Sequence, residues 1–494
     1  MSLVRNAAFN FFGAAMPAVL GIATIPYIVS TLGLADYGLL ALVTSIVGYF
    51  ALLDINVSAG STKYIAQYHA SGDHDSLNET VCFSLLVYAA IGLTGMVGLF
   101  LSADWLAAQF FAVSPEKRET AVTAIRIAAI GFAVGQIQAY VQSIPGALMR
   151  YDVAGRIEAV FGTVVPLASV AMLALGFGLL ELVWLRVAMS FTQAVVVSLA
   201  IRALLPGLKW VRPGARIRHA LLSFSLFSFL SRLAALTYAH ADKLIIGARV
   251  GVESLTFYVV PATLANRVMS LVFRLSGVMF PHASSLAAQG RNDKLRHDYL
   301  LATRYLLFIN GAIVVVLATL AQPILAHWLN TDFARAGALV MVFIALAQGV
   351  DSLTNLPSLI NDGLGHPRVS GLFALSRAAL GLTLIFLGVS AYGLVGAAMA
   401  HFVASVIMSL AFVWYVHGRT VPVSLAVVVR EAYARVIPVL AVAGVVGVLS
   451  SEFAARGWFE LIASALAIGA VLCAGGYWRV LTPEHRLIFA RVSL

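Results

Sequence analysis

Long apolar runs alternate with short polar breaks along nearly the whole chain. They lie near residues 7–32, 38–60, 80–102, 121–149, 157–178, 182–205, 220–247, 254–284, 302–325, 336–360, 369–390, 393–416, 432–450 and 460–478. A helix needs about 20 apolar residues to cross a bilayer, so each run is close to or beyond that length. The runs are continuous rather than alternating, which excludes a closed β-barrel and leaves helices. The pattern therefore predicts an all-α polytopic membrane protein with about 14 transmembrane helices. The first run follows a short head holding only Arg5 and is too long for a signal-peptide core, so it is read as a retained helix.

Composition agrees with this reading: 61% of the 494 residues are hydrophobic and 11% charged. A soluble protein of this size could not bury so much apolar surface. The net charge of +10 sorts by loop rather than marking a nucleic-acid surface. One set of alternate loops holds Arg5, Lys63, Arg150, Arg156, the run Arg202 to Arg218, Arg291, Lys294, Arg296, Arg304, Arg368, Arg419, Arg430, Arg435, Arg479, Arg486 and Arg491; the other holds Lys117, Arg118, Arg249, Arg335 and Arg456. That bias of roughly four to one places the first set and both termini in the cytoplasm, which an even number of spans permits. Cys82 and Cys473 both fall in apolar runs, so neither a disulfide framework nor a metal cluster is readable.

An internal repeat is also present. Gly33 and Gly251, Gly72 and Gly290, Asp75 and Asp293, and Leu77 and Leu295 are each 218 residues apart, and Pro145 with Pro357 and Gly178 with Gly393 follow at slightly different offsets. The organisation expected is an N-terminal six-helix lobe over 1–206, a cytoplasmic basic linker over 207–218, a C-terminal six-helix lobe over 219–418, and two additional transmembrane helices in 419–494. Repeats of this kind hold substrate between the lobes and rock to expose it alternately.

The opening hairpin reads Leu32-Gly33, Tyr37-Gly38-Leu39, Leu53-Asp54 and Lys63-Tyr64-Ile65-Ala66, and the second lobe repeats the theme as Asp242, Ile245-Ile246-Gly247, Gly251 and Tyr258, ending in Pro281 and Gly290. In their order and spacing these residues resemble the Wzx-type polysaccharide flippases, a branch of the multidrug/oligosaccharidyl-lipid/polysaccharide exporter superfamily, over about residues 1–418. Where that family often shows Asp-x-Gly, this chain has Asp54-Ile55-Asn56. The resemblance implies a V-shaped pair of lobes in a bacterial inner membrane. It also implies an undecaprenyl-pyrophosphate-linked glycan as cargo, moved from the cytoplasmic to the periplasmic leaflet, with a polysaccharide polymerase and a chain-length regulator as candidate partners.

The residues themselves lead to a compatible site. Arg267 and Arg274 lie seven residues apart in an apolar run, hence on one helix face with Ser270. An arginine at the bilayer centre costs about 2.5–3.5 kcal/mol unless it faces protein or water, so a pair without an acid in its own run calls for an anionic ligand. Arg232 and Arg377 complete a candidate substrate-binding set, since guanidinium groups grip phosphate through two parallel hydrogen bonds. Asp351, in the middle of the tenth run, is either a counter-ion to Arg267 or Arg377 or an ion-coupling site; Asp54 has the same ambiguity. Asp242 beside Lys243 reads as a structural pair. Arg126 and Arg186 fall near helix ends, where they reach sugars or merely the interface. His240, His282, His327 and His401 do not share metal-ligand spacing, and no nucleotide loop or nucleophile–base set is present, so neither cofactor nor catalysis is expected. A lipid II flippase and a cation-coupled multidrug exporter remain alternatives. The exporter is disfavoured because four intramembrane arginines outnumber one central aspartate. A membrane polymerase or ligase is disfavoured because the longest external loop, about 103–120, is short.

Overall fold

The computed structural model describes residues 16–50, 57–111, 113–219, 221, 240–276, 289 and 291–486. These are overwhelmingly helical. The principal helices are α1 (Ile25–Phe50), α2 (Val57–Ser71), α3 (His74–Trp105), α4 (Arg118–Ala147), α5 (Tyr151–Ala174) and α6 (Leu179–Leu204). They continue with α7 (Val252–Ser276), α8 (Asn292–Thr319), α9 (Ala321–Trp328), α10 (Thr331–Gly363), α11 (Pro367–Arg419), α12 (Ala434–Ala454) and α13 (Trp458–Gly475). Ten helical stretches among the described residues are long and apolar enough to cross a membrane, and the chain is an all-α polytopic membrane protein. One of the ten, α11, has 53 residues. At 1.5 Å per residue it would be about 80 Å long if straight, more than twice the hydrocarbon thickness. It is broken at Tyr392 and Gly393 (φ 57°), so it supplies both runs expected at 369–390 and 393–416. Residues 7–15 of the run expected at 7–32 and most of the run expected at 220–247 lie outside the described residues.

The described residues gather in two compact units, Met1–Thr256 and Phe257–Leu494. The first unit centres on buried Val57, Leu77, Val81, Tyr88, Tyr140 and Ile144 with Val197 and Ile201 of α6. Tyr88 and Tyr140 stack at 5.1 Å between centroids, and the Tyr140 hydroxyl lies 3.1 Å from that of Ser61, so the aromatic layer carries its own polar partner. The linker after α6 is stitched along α3. Asn78 donates to the Gly207 carbonyl and accepts from the Lys209 amide, both at 3.3 Å, and Glu79 accepts from the Gly214 amide at 2.7 Å.

The second unit has its own core of Leu295, Tyr299, Leu356, Ile360, Phe412 and Val416. A separate cluster, including Leu320, Val439, Ala443, Leu461 and Ile468, holds α12 and α13 against α8. Arg304, assigned by the sequence to a polar loop, is instead buried inside α8. Its guanidinium donates to the Glu431 carbonyl at 3.0 Å and to the Val480 carbonyl at 3.5 Å. Both carbonyls sit in π-helical turns, Val429–Tyr433 and Gly476–Val480, where the ordinary helical ladder is interrupted. One cation thus ties the last helical pair to the rest of the unit.

The 218-residue spacing has a physical expression. Gly33 (φ 79°) and Gly251 (φ 102°) both occupy the left-handed region, Asp75 and Asp293 both lie in the first turns of their helices, and Leu77 and Leu295 are both buried. The turns after α4 and α10 also match. Leu148 (φ −86°, ψ 10°) corresponds to Leu364 (φ −84°, ψ 1°), and the Arg150 amide donates to the Pro145 carbonyl as the His366 amide donates to that of Asn361. Each turn closes with a left-handed residue, Met149 in one and Gly365 in the other.

Candidate functional site

The polar residues of α10 alternate at three- and four-residue steps: Gln348, Asp351, Asn355, Ser358 and Asp362. That spacing keeps them on one face of an otherwise apolar helix, a face that must be partnered by protein or water if the helix spans a membrane. The structure partners it from three directions within the second unit.

At the stripe's centre, Asp351 is buried and ion-paired with Arg377 of the first half of α11. One Asp351 carboxylate oxygen accepts from Arg377, and the other accepts from the Ser409 hydroxyl at 3.1 Å. Arg377 also donates to the Ser405 hydroxyl at 3.0 Å. Ser405 and Ser409 are one turn apart in the second half of α11, both buried, so the cluster locks three helical segments together. Taking two charges out of water costs several kcal/mol per ion, which the ion pair and the two serine hydroxyls offset. Of the two partners the sequence left open for Asp351, the structure places Arg377 beside it.

One turn away, Gln348 donates to the Asn266 side chain of α7 at 2.7 Å. Asn266 and its neighbour Arg267 are both exposed, on a helix whose other described side chains are largely buried. Arg274 lies on the same helix, but its side chain is outside the described residues, as are Arg232 and Asp54 altogether. At the other end of the stripe, the Asn361 amide donates to the His366 carbonyl (2.8 Å) and to the Ser370 hydroxyl (3.0 Å). Ser370 in turn donates to Asp362 at 2.6 Å, which closes the α10–α11 turn. Sequence reasoning missed Ser370, Ser405 and Ser409, because a lone serine in an apolar run gives no signal until its carboxylate partner is in place.

Other intramembrane charges among the described residues are locally paired. Asp242 is buried and bonded by Lys243 at 3.0 Å, Arg126 reaches Asp104 at 2.7 Å, and Arg186 donates to the Thr44 hydroxyl at 2.7 Å. No group of three or more metal-ligating side chains exists among the described residues.

Comparison with known proteins gives this arrangement a family. Residues 31–337 match the family described as "Polysaccharide biosynthesis protein". A curated relative, a putative O-antigen transporter of Shigella flexneri, is 18% identical over 427 residues, covering 84% of this chain and 97% of that protein. Among solved structures, the lipid II flippase MurJ in an inward closed conformation is similar with a TM-score of 0.72 at 13% identity, over 96% of this chain and 98% of that one. An inward-facing multidrug resistance MATE family transporter of the MOP superfamily is similar with a TM-score of 0.69 at 16% identity, over 84% of this chain and 98% of that one. At those identities the structures speak for the fold, while the family match spans well over half of the sequence. The chain belongs to the polysaccharide biosynthesis protein family, as a multi-pass membrane protein.

Proposed function

We propose that the protein moves an undecaprenyl-pyrophosphate-linked oligosaccharide repeat unit from the cytoplasmic to the periplasmic leaflet of a bacterial inner membrane, for O-antigen, capsule or exopolysaccharide assembly. Both termini are cytoplasmic in this reading, as the loop charges require. Two six-helix lobes, 1–206 and 219–418, alternately open a cationic cavity, and the pair of helices in 419–494 is additional to them. The single observation that carries the proposal is the exposed pair Asn266–Arg267 on α7 beside Gln348 of α10. A guanidinium cannot be left against hydrocarbon, so this face belongs to a wet space. A cation flanked by two amides has the chemistry for a phosphate beside sugar hydroxyls. Arg274 and Arg232 extend the cationic set. Arg377 contributes through the Asp351 pair, which either remains a fixed lock or changes protonation during the cycle; Asp54 is a second candidate for that role.

A second reading, a lipid II flippase, is favoured by one observation. The similarity to the lipid II flippase structure extends over 96% of this chain, against 84% for the multidrug transporter, a difference about the size of the last helical pair. Both cargoes carry the same pyrophosphate lipid and differ in the sugar.

The test replaces Arg267 with glutamine and with lysine in cells that depend on this copy for surface polysaccharide. A charged hydrogen bond to phosphate is worth about 1.5–3 kcal/mol, so Arg267→Gln lowers export roughly tenfold to a hundredfold, while Arg267→Lys retains part of it. Lipid-linked repeat units then accumulate on the cytoplasmic face. Normal export by the glutamine variant at equal protein level overturns the proposal, and accumulation of lipid II instead selects the second reading.

A further inference from the structure

The first unit contains a 280 Å³ cavity whose chemistry is unlike that of the polar stripe. Its walls are Val81 and Leu85 of α3, Val141 and Ile144 of α4, and Ile201 of α6. Its rim carries Arg202, Lys209 and Trp210 at the point where α6 gives way to the linker. Arg202 and Lys209 are exposed, and neither side chain has a hydrogen-bonding or ion-pairing partner among the described residues. Trp210 is 65% exposed at the same rim. The linker is pinned there through Asn78 and Glu79, so the two cations are held at the mouth rather than on a loose loop.

The internal repeat shows that this space is not forced by the fold. By the 218-residue spacing, Val81 corresponds to Tyr299; by the 215-residue spacing of Gly178 and Gly393, Arg202 corresponds to His417. In the second unit those two side chains are buried and bonded to each other at 3.0 Å. His417 donates from Nδ1 to the Val423 carbonyl at 2.7 Å, which leaves Nε2 to accept from the Tyr299 hydroxyl. An aromatic plug occupies one half of the repeat. The other half has a small aliphatic residue and a cation that no described residue pairs.

We propose that this slot binds one anionic glycerophospholipid, with an acyl chain between α3, α4 and α6 and its headgroup phosphate between Arg202 and Lys209. The shape, charge and rim all fit that occupant. An apolar slot capped by two cations matches an anionic headgroup on a hydrocarbon tail, and an exposed tryptophan at a helix end is the usual marker of the membrane–water boundary. The volume lies below the roughly 300–1,000 Å³ typical of drug-sized ligands, enough for part of one acyl chain and too little for an oligosaccharide. The slot therefore does not hold the glycan of the cargo and does not depend on which glycan is moved.

Native mass spectrometry of the full-length protein in mild detergent tests this, with phosphatidylglycerol, phosphatidylcholine and undecaprenyl phosphate added separately and in competition. Wild type retains one phosphatidylglycerol in preference to phosphatidylcholine. The Arg202→Gln, Lys209→Gln double variant loses about twenty-fivefold in retention, since each surface cation contributes a factor of about five. Both changes fall on exposed residues, so folding is preserved and checked by thermal midpoint. Val81→Tyr, which keeps both charges and copies the plug, also abolishes retention. Equal retention of the two phospholipids overturns the proposal, as does an unchanged double variant. Displacement of phosphatidylglycerol by equimolar undecaprenyl phosphate also overturns it, and gives the slot to a polyprenyl lipid instead.

Discussion

The same point of the internal repeat is solved in two ways. In the first unit, Val81, Cys82 and Ile201 line an open slot beside Arg202, which no described residue pairs. In the second, Tyr299 and His417 fill the corresponding positions and spend their polar groups on each other and on Val423. A few side chains at corresponding positions of the repeat make the difference. The contrast recurs along the helices. The ion pair Asp351–Arg377 locks the second unit at a level where, by the spacing of the α4 and α10 turns, the first has Gly135, beside which there is open space. At these positions one unit is braced by a buried ion pair and an aromatic plug, where the other has a glycine and a slot.

The largest expected effect comes from breaking the brace. Asp351→Ala leaves the Arg377 guanidinium buried without its carboxylate, and loss of one partner from a buried pair costs about 3–5 kcal/mol. The double variant Asp351→Leu, Arg377→Met removes both charges and recovers most of that loss. Thermal unfolding of the purified protein reads the cycle. If the single and double variants unfold alike, the two residues are not coupled and the asymmetry loses its main support. If both singles stay folded while export stops, the pair is part of the transport cycle rather than a lock.

A smaller effect follows from the matched turns after α4 and α10. Met149 sits at φ 58° where the second unit has Gly365 at φ 93°. A side chain in the left-handed region costs about 1–2 kcal/mol, so Gly365→Ala lowers stability by that amount. Met149→Gly relieves the same strain but adds about 0.5–1 kcal/mol of chain entropy, leaving a small gain. Opposite signs at equivalent positions, read as shifts in thermal midpoint, are the expected result. Equal signs would show that packing rather than φ governs one of the turns.

Much of this was legible in the sequence. The spacing of Gly33 with Gly251 and of Leu77 with Leu295 displayed the repeat, and the apolar runs set the helices, because spanning length and backbone satisfaction leave few alternatives. Asp351 was visible as a costly charge, yet its partner was open between Arg267 and Arg377. Helices that are apolar on every side carry no periodic signal of their rotation, so only the packing of α10 against both halves of α11 decides it. Arg304 looked like a loop cation because it follows closely on the polar stretch Arg296-His297-Asp298. Its true partners are two carbonyls more than a hundred residues away, in turns whose π-helical form no composition announces. The plug of Tyr299 and His417 was hidden for the same reason, 118 residues separating its halves.

The smallest expected difference lies at the helix starts of the same repeat. Asp73 caps α3, its carboxylate accepting from the Ser76 amide at 3.0 Å; the corresponding residue before α8, by the 218-residue spacing, is Arg291, which makes no side-chain cap. The amide hydrogen bond holds the Asp73 carboxyl below its ordinary value of 3.8, with the Ser76 side chain and Arg216 acting the same way. A depressed carboxyl contributes stability that is fully present above the unfolded value and is lost as pH falls through the folded one. The first turn of α3 should therefore lose hydrogen-exchange protection, relative to intrinsic rates, as pH drops below about 3.8, while the first turn of α8 should not respond through this route. Asp73→Asn keeps an accepting oxygen without the titration and should flatten the dependence, and Arg291→Asp should install it in α8. If α3 and α8 lose protection together in acid, the loss is global, and the cap does not distinguish the two halves.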